Sequence, residues 1–264
     1  MMNYQTILFS VERGVARLTL NRPDKLNSFN VLMHKDVRSA LDSIGADRSV
    51  RVLVLTGAGR GFCAGQDLAD RAVAPGSAPV DLGESVEKYY APLVRTIRSL
   101  PIPVVCGVNG VAAGAGANLA LACDIVIATR SASFIEPFCK LGLIPDTGGT
   151  YFLPRLVGTA RAMGLAMLGE KLPAEQAAAW GLIWKCVDDD VFTQEVETLA
   201  THFAAAPTKG LARTKQAIYG SAGNSLDQQL DAERDFMREL GSTSDYCEGV
   251  AAFMTKRAPV FTGE

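Results

Sequence analysis

A chain of 264 residues with 48% hydrophobic content can bury a substantial core, as one large domain or one domain with an appendage, which excludes an unfolded polypeptide. Its formal net charge of -2 gives no long-range pull toward nucleic acid or anionic lipid, so any phosphate site must be a local cluster. No run of about 18 apolar residues occurs, and the opening MMNYQTILFSVERG reaches charge and glycine too soon for a secretory signal, so a soluble, cytoplasmic protein without membrane contact is the expectation.

In chain order, GVARLTL alternates Ala16, Leu18 and Leu20 against Val15, Arg17 and Thr19, the period-two pattern of a strand with unlike faces. Met33, Val37, Leu41 and Ile44 then repeat at helical spacing. RVLVLTG (51–57), PVVCGVNG (103–110) and DIVIA (124–128) are nearly continuous apolar runs, as in parallel strands covered on both faces. Residues 84–100 form a second candidate helix, and segment 69–83, rich in Pro, Gly, Ala and Ser, reads as a mobile surface loop beside a site. Strand alternating with helix predicts right-handed βαβ units, an α/β fold. Beyond about residue 155 strand signals fade. LPAEQAAAWGL has a helix-start proline and a glycine stop, and Leu226, Leu230, Met237 and Leu240 form a stripe on a later helix. A soft boundary falls near residue 200, where APTKG breaks the pattern and separates 1–200 from 201–264.

The six cysteines have no CxxC spacing and read as reduced core residues rather than metal ligands. His34 and His202, the two histidines, each lie in a helix-like segment, which argues against histidine-based catalysis. Two strands run straight into glycine-rich turns, LVLTGAGRGFCAGQDL and VVCGVNGVAAGAGANLALACD. The second has only two of the three glycines of a dinucleotide fingerprint, and no acid ends the next strand. Glycines also let backbone N–H groups approach a ligand, and GAGANLALAC reads as the first turn of a helix, whose N–H groups and dipole suit a developing negative charge. Two such turns converging on one carbonyl oxygen make an oxyanion hole; tight helix–sheet packing is the competing reading of either turn alone.

These segments, with LNRPDKLNSF (20–29), LGLIPDTGGT (141–150) and the tail EGVAAFMTKRAPVF (248–261), give the chain a resemblance to the crotonase, or enoyl-CoA hydratase/isomerase, superfamily over nearly its whole length. The resemblance implies a crotonase-like spiral of ββα units over 1–200, a C-terminal helical region for trimerisation and a lid over 201–264, and a homotrimer or hexamer. It further implies an acyl-CoA substrate with coenzyme A entering as part of that substrate, no separate cofactor, no metal, and a complex with another enzyme of the superfamily. Carried onto this sequence, it assigns the oxyanion N–H groups to Ala64 and Ala115, the coenzyme A edge to Lys25, Leu26, Asp67 and Leu68, and the tail contacts to Phe253 and Lys256. Gly114, Asn118 and Phe138 fall in the substrate pocket. Asp67 has a competing reading as a structural residue or helix cap, and Lys25 and Lys256 as solvated surface charge.

Hydratases of the superfamily use two glutamates, and the corresponding positions here hold Asn118 and Phe138, neither able to act as a carboxylate does. Strand alternation sends Glu136 to the opposite side if the strand continues. Asp146 is then the acid that the family's motifs place by the substrate. A single carboxylate suits a 1,3 proton shift. Apolar neighbours Phe138, Leu141, Leu143 and Ile144 are expected to desolvate Asp146 and raise its pKa, while an N-cap role is the structural alternative. LGLIPDTGGTYFLPRLVG together with Asn118 most resembles isomerases of phenylacetate degradation, which convert an epoxidised aromatic-ring acyl-CoA to an oxepin form. Alternatives are a Δ3,Δ2-enoyl-CoA isomerase or hydratase of fatty-acid β-oxidation, and a non-catalytic acyl-CoA-binding scaffold.

Overall fold

The computed structural model describes residues 4–71 and 81–264. Most of the segment expected to be a mobile loop lies outside the described residues. Its far end is a helix start, where the Asp81 carboxylate accepts the Gly83 N–H at 2.9 Å.

The first hairpin, β1 (Ile7–Glu12) and β2 (Val15–Leu20), leads into α1 (Val31–Ala46). Three successive units follow, each with a long strand, a short strand and helix. They are β3 (Val52–Gly57) and β4 (Gly61–Cys63) with α2 (Leu82–Ser85) and α3 (Ala91–Ser99); β5 (Val104–Val108) and β6 (Val111–Ala113) with α4 (Ala115–Ala122); and β7 (Ile125–Thr129) and β8 (Ser133–Ile135) with α5 (Gly149–Leu168). The long strands, with the short β10 (Lys185–Val187) at one edge, build a six-stranded sheet ordered β1-β2-β3-β5-β7-β10, and the other short ones, with β9 (Lys171–Pro173), a four-stranded sheet ordered β4-β6-β8-β9. Only β1–β2 is antiparallel in the larger sheet, and only β8–β9 in the smaller. This is the ββα spiral expected of the fold class.

The apolar runs are continuous because both faces of the large sheet are covered. Leu18, Leu53, Leu55, Cys106 and Val126 pack with α1, α3 and α4, while Val52, Val54, Val105 and Ile127 pack under Val196, Ala200 and Phe203 of α7 (Phe192–Ala204). That helix runs through the expected boundary at residue 200, so the C-terminal region begins instead at Pro207, ahead of α8 (Thr208–Ser221), α9 (Leu226–Leu240) and α10 (Ser244–Met254). The fading of strand signals after residue 155 is also corrected. β9 (Lys171–Pro173) and β10 (Lys185–Val187) flank α6 (Ala174–Ala179), each only three residues long and too short for a period-two pattern. Leu226, Leu230 and Met237 of α9 are exposed, so their stripe is uncovered in a single chain. No helix among the described residues is long and apolar enough to cross a membrane.

Candidate active site

The two glycine-rich turns meet. Gly114, with φ 54°, is the N-cap of α4, so Ala115 heads that helix, where an N–H has no intrahelical partner. A Cβ on Gly116 would lie 2.2 Å from the Cys63 carbonyl oxygen, and one on Gly65, which has φ +90°, would lie 2.8 Å from the Ala113 oxygen and 3.3 Å from the Ala115 nitrogen. Glycine at both positions lets the end of β4 lie against the first turn of α4.

On the β4 side, main-chain pairing distinguishes the amides. The Ala64 N–H is donated to the Leu26 carbonyl at 2.9 Å, so its assignment as an oxyanion donor is corrected. Gln66 instead forms a parallel bridge with Phe29. Phe29 bonds to the flanking groups, donating to the Gly65 carbonyl at 2.7 Å and accepting from the Asp67 N–H at 2.8 Å. In such a bridge the middle residue's own N–H turns to the other edge. The Gln66 side chain accepts a hydrogen bond from the Tyr90 hydroxyl at 2.9 Å.

Gln66 and Ala115 line a cleft of about 240 Å³ with Ala64, Leu68, Gly114 and Phe138. Asp146 lines it too, and among the described residues it is the one titratable side chain that does. The Thr147 hydroxyl donates to Asp146 Oδ1 at 2.8 Å. The Asp146 carbonyl accepts the Gly149 N–H at 2.8 Å and Asn118 Nδ2 at 3.0 Å. The N-cap of α5 is Gly148, so Asp146 adds its main chain to the helix start and keeps its carboxylate at the cleft. Of the apolar neighbours expected to desolvate it, Phe138 is buried, but Leu141, Leu143 and Ile144 are exposed at the mouth.

Asn118 does not line the cleft. It is fully buried behind it, where Nδ2 also donates to Glu136 Oε2 at 3.2 Å. The expectation that Glu136 points to the opposite side is therefore corrected. β8 ends at Ile135, and alternation in any case puts residues two apart, Phe134, Glu136 and Phe138, on one face, so the side expected for Glu136 does not follow from the period of a strand. Burial pushes its carboxyl up to about 8; the Asn118 hydrogen bond opposes this shift and the nearby Asp146 charge adds to it.

The proposed coenzyme A residues are not all brought together. Leu26 adjoins Ala64, and Lys25 is exposed on the same turn, but Phe253 lines a separate cleft with Tyr246 and Phe261, and Lys256 is exposed beyond α10. The Asp67 carboxylate pairs with Arg22 at 2.9 Å and accepts the Ala69 N–H at 3.1 Å, which favours its structural, capping reading. Burial pushes the Cys63 thiol up to about 12, so it is no thiolate nucleophile. A second, wider cleft of about 760 Å³ shares Val86 with the first and is walled by Arg98, Thr147, Tyr151, Phe152 and Tyr219.

The chain is 58% identical over 258 residues to a 1,2-epoxyphenylacetyl-CoA isomerase of Escherichia coli K12, covering 98% of each chain. It is 33% identical to a trans-2-decenoyl-[acyl-carrier-protein] isomerase of Streptococcus mutans, covering 100% of both. The crystal structure of an enoyl-CoA hydratase from Bacillus anthracis superposes with a TM-score of 0.90 at 32% identity, covering 98% of this chain and 100% of that one. The enoyl-CoA hydratase/isomerase pattern matches residues 10–264, and the chain belongs to that family.

Proposed function

We propose that the chain is a cofactor-free acyl-CoA isomerase in which Asp146 carries the proton and the N–H groups of Gln66 and Ala115 hold the thioester oxygen. The observation that carries this reading is the position of Asp146, a lone titratable side chain in the cleft that both amide-bearing turns line. Removing a proton from the carbon next to the thioester forms an enolate whose charge falls on the oxygen held by the two N–H groups. One donor of such a pair is worth about 2.7–4 kcal/mol in the transition state. Asp146 then returns the proton to a carbon further along the acyl group, so one carboxylate serves as base and then acid. Addition of water has no second carboxylate at the cleft among the described residues, because Phe138 forms its wall and Asn118 sits behind it.

Our reading of the substrate is a ring-epoxidised aromatic acyl-CoA converted to its oxepin form. The Escherichia coli relative's name supports it, as do the aromatic walls of the wider cleft. The Streptococcus mutans relative favours a second reading, a straight-chain enoyl thioester. Coenzyme A is proposed to lie along Lys25 and Leu26, in a cytoplasmic homotrimer or hexamer; exposed Leu156, Met163, Met167 and Leu168 on α5 support assembly. A panel of ring-epoxide CoA, trans-3-enoyl-CoA and crotonyl-CoA tests the reading. Turnover of the first two without hydration of the third is expected. Hydration alone, or no turnover of any of them, contradicts it.

A further inference from the structure

Behind the cleft lies a second carboxyl group that the proton transfer does not use. Glu136 is 3% exposed and Asn118 is 0% exposed. A single amide nitrogen, Asn118 Nδ2, donates both to Glu136 Oε2 at 3.2 Å and to the Asp146 carbonyl at 3.0 Å. The chain makes room for this bridge, since a Cβ on Gly149 would lie 2.4 Å from Asn118 Nδ2 and 2.7 Å from its Cγ. Thr147, at φ 54°, and Gly148, at φ 86°, hold the segment between Asp146 and α5 in the left-handed region. Asp146 is thus fixed on its main chain by a group whose other hydrogen bond goes to a buried acid.

We propose that Glu136 is a positioning residue for Asp146, acting through Asn118 in its neutral form. The inference rests on the reading of Asp146 as the proton carrier. Ionising Glu136 does two things, both unfavourable to turnover. It strengthens the pull of Glu136 on the Asn118 amide at the expense of the Asp146 carbonyl, because a hydrogen bond to a charged acceptor is the stronger. It also sets a second negative charge beside Asp146 in a buried environment, behind the developing enolate. Asp146 is the charged group whose field acts on Glu136. Alongside, α4 carries no titratable side chain, and Cys139 shares the turn that follows. Lys140 on that turn, and Glu170 and Lys171 beyond α5, are exposed. Burial supplies the main shift that keeps Glu136 neutral up to about 8.

The test is a pH profile of kcat and KM for trans-3-enoyl-CoA with wild type, Glu136→Gln, Asn118→Ala and Asp146→Asn. Wild-type kcat is expected to fall roughly tenfold per pH unit above the Glu136 titration. Glu136→Gln, which keeps an acceptor for Asn118 without a charge, is expected to stay within a few-fold of wild type near neutrality and to lack that fall. Asn118→Ala is expected to lose about tenfold or more in kcat with KM little changed. The same alkaline fall in Glu136→Gln as in wild type would overturn the proposal. Infrared difference spectra of wild type need no variant: a protonated carboxyl band should disappear through the same pH range, and a carboxyl already ionised at neutrality would equally overturn it. Activity retained by Asp146→Asn would overturn the underlying reading, whereas an inactive Asp146→Asn with an unaltered alkaline fall in Glu136→Gln defeats this inference alone.

Discussion

Asn118, Glu136 and Asp146 stand at different depths of one cleft wall. Asp146 reaches the cleft, Asn118 holds its main chain, and Glu136 stands behind both. Burial of Glu136 also makes stability depend on pH. Its carboxyl titrates near 4.5 when exposed and at about 8 when folded, so this group's contribution is fully present below 4.5 and is lost as pH rises through 8. At roughly 1.4 kcal/mol per pKa unit the loss amounts to a few kcal/mol. Urea denaturation of wild type should therefore show stability declining across that window, and Glu136→Gln should flatten the decline; parallel curves would count against a buried neutral Glu136. The place of Asp146 at the cleft was legible through the resemblance, because LGLIPDTGGT is one of the motifs that carry it. Glu136 was misplaced for another reason, because residues two apart on a strand share a face, and the spacing of Glu136 to Phe138 therefore favours the same side and not the opposite one. Gln66 was hidden for a different reason. The N–H left out of the pairing is set by the bridge to Phe29, a long-range contact that no local pattern encodes.

Among the elements, the helical segment before β5 contains a π turn, Val86–Tyr90, between α2 and α3. Such turns widen a helix by one residue and recur at functional sites. Here Val86 faces both clefts, and Tyr90, nearly fully buried, reaches Gln66. Tyr90→Phe removes that hydrogen bond and should cost about 1 kcal/mol of stability and lower kcat with little change in KM. Steady-state kinetics decide it: wild-type kcat in the variant would mean that the Gln66 backbone is held without Tyr90. The helix itself was legible over 84–100, but the π turn was not, because one inserted residue barely disturbs a short apolar period. The long strands β3, β5 and β7 were legible for the opposite reason, being continuously apolar under cover on both faces. β9 and β10 gave no signal, since three residues pair only where a neighbouring strand awaits them.

At the scale of the whole molecule, the C-terminal helices are tied to the sheet core by a half-buried ion pair. Lys215 of α8 lies 2.8 Å from Asp124, which heads β7 and accepts the Val104 N–H at 2.7 Å and the Tyr219 hydroxyl. Lys215 also donates to the Ile97 carbonyl at 2.9 Å. Asp124→Ala leaves the half-buried Lys215 ammonium with only its main-chain acceptors and removes the acceptor of the Val104 N–H and the Tyr219 hydroxyl, which should cost about 1–3 kcal/mol. Denaturation curves should move accordingly, and unchanged stability would show that the helical region docks without this tether. The central claim, that Asp146 carries the proton, is tested most directly by following the ultraviolet change as trans-3-enoyl-CoA is given to wild type and to Asp146→Asn, with crotonyl-CoA as the hydration control. Loss of the isomerase signal in the variant, with binding of the thioester retained, is the predicted result. Equal activity in the two proteins would contradict it and leave Asp146 a structural residue at the start of α5.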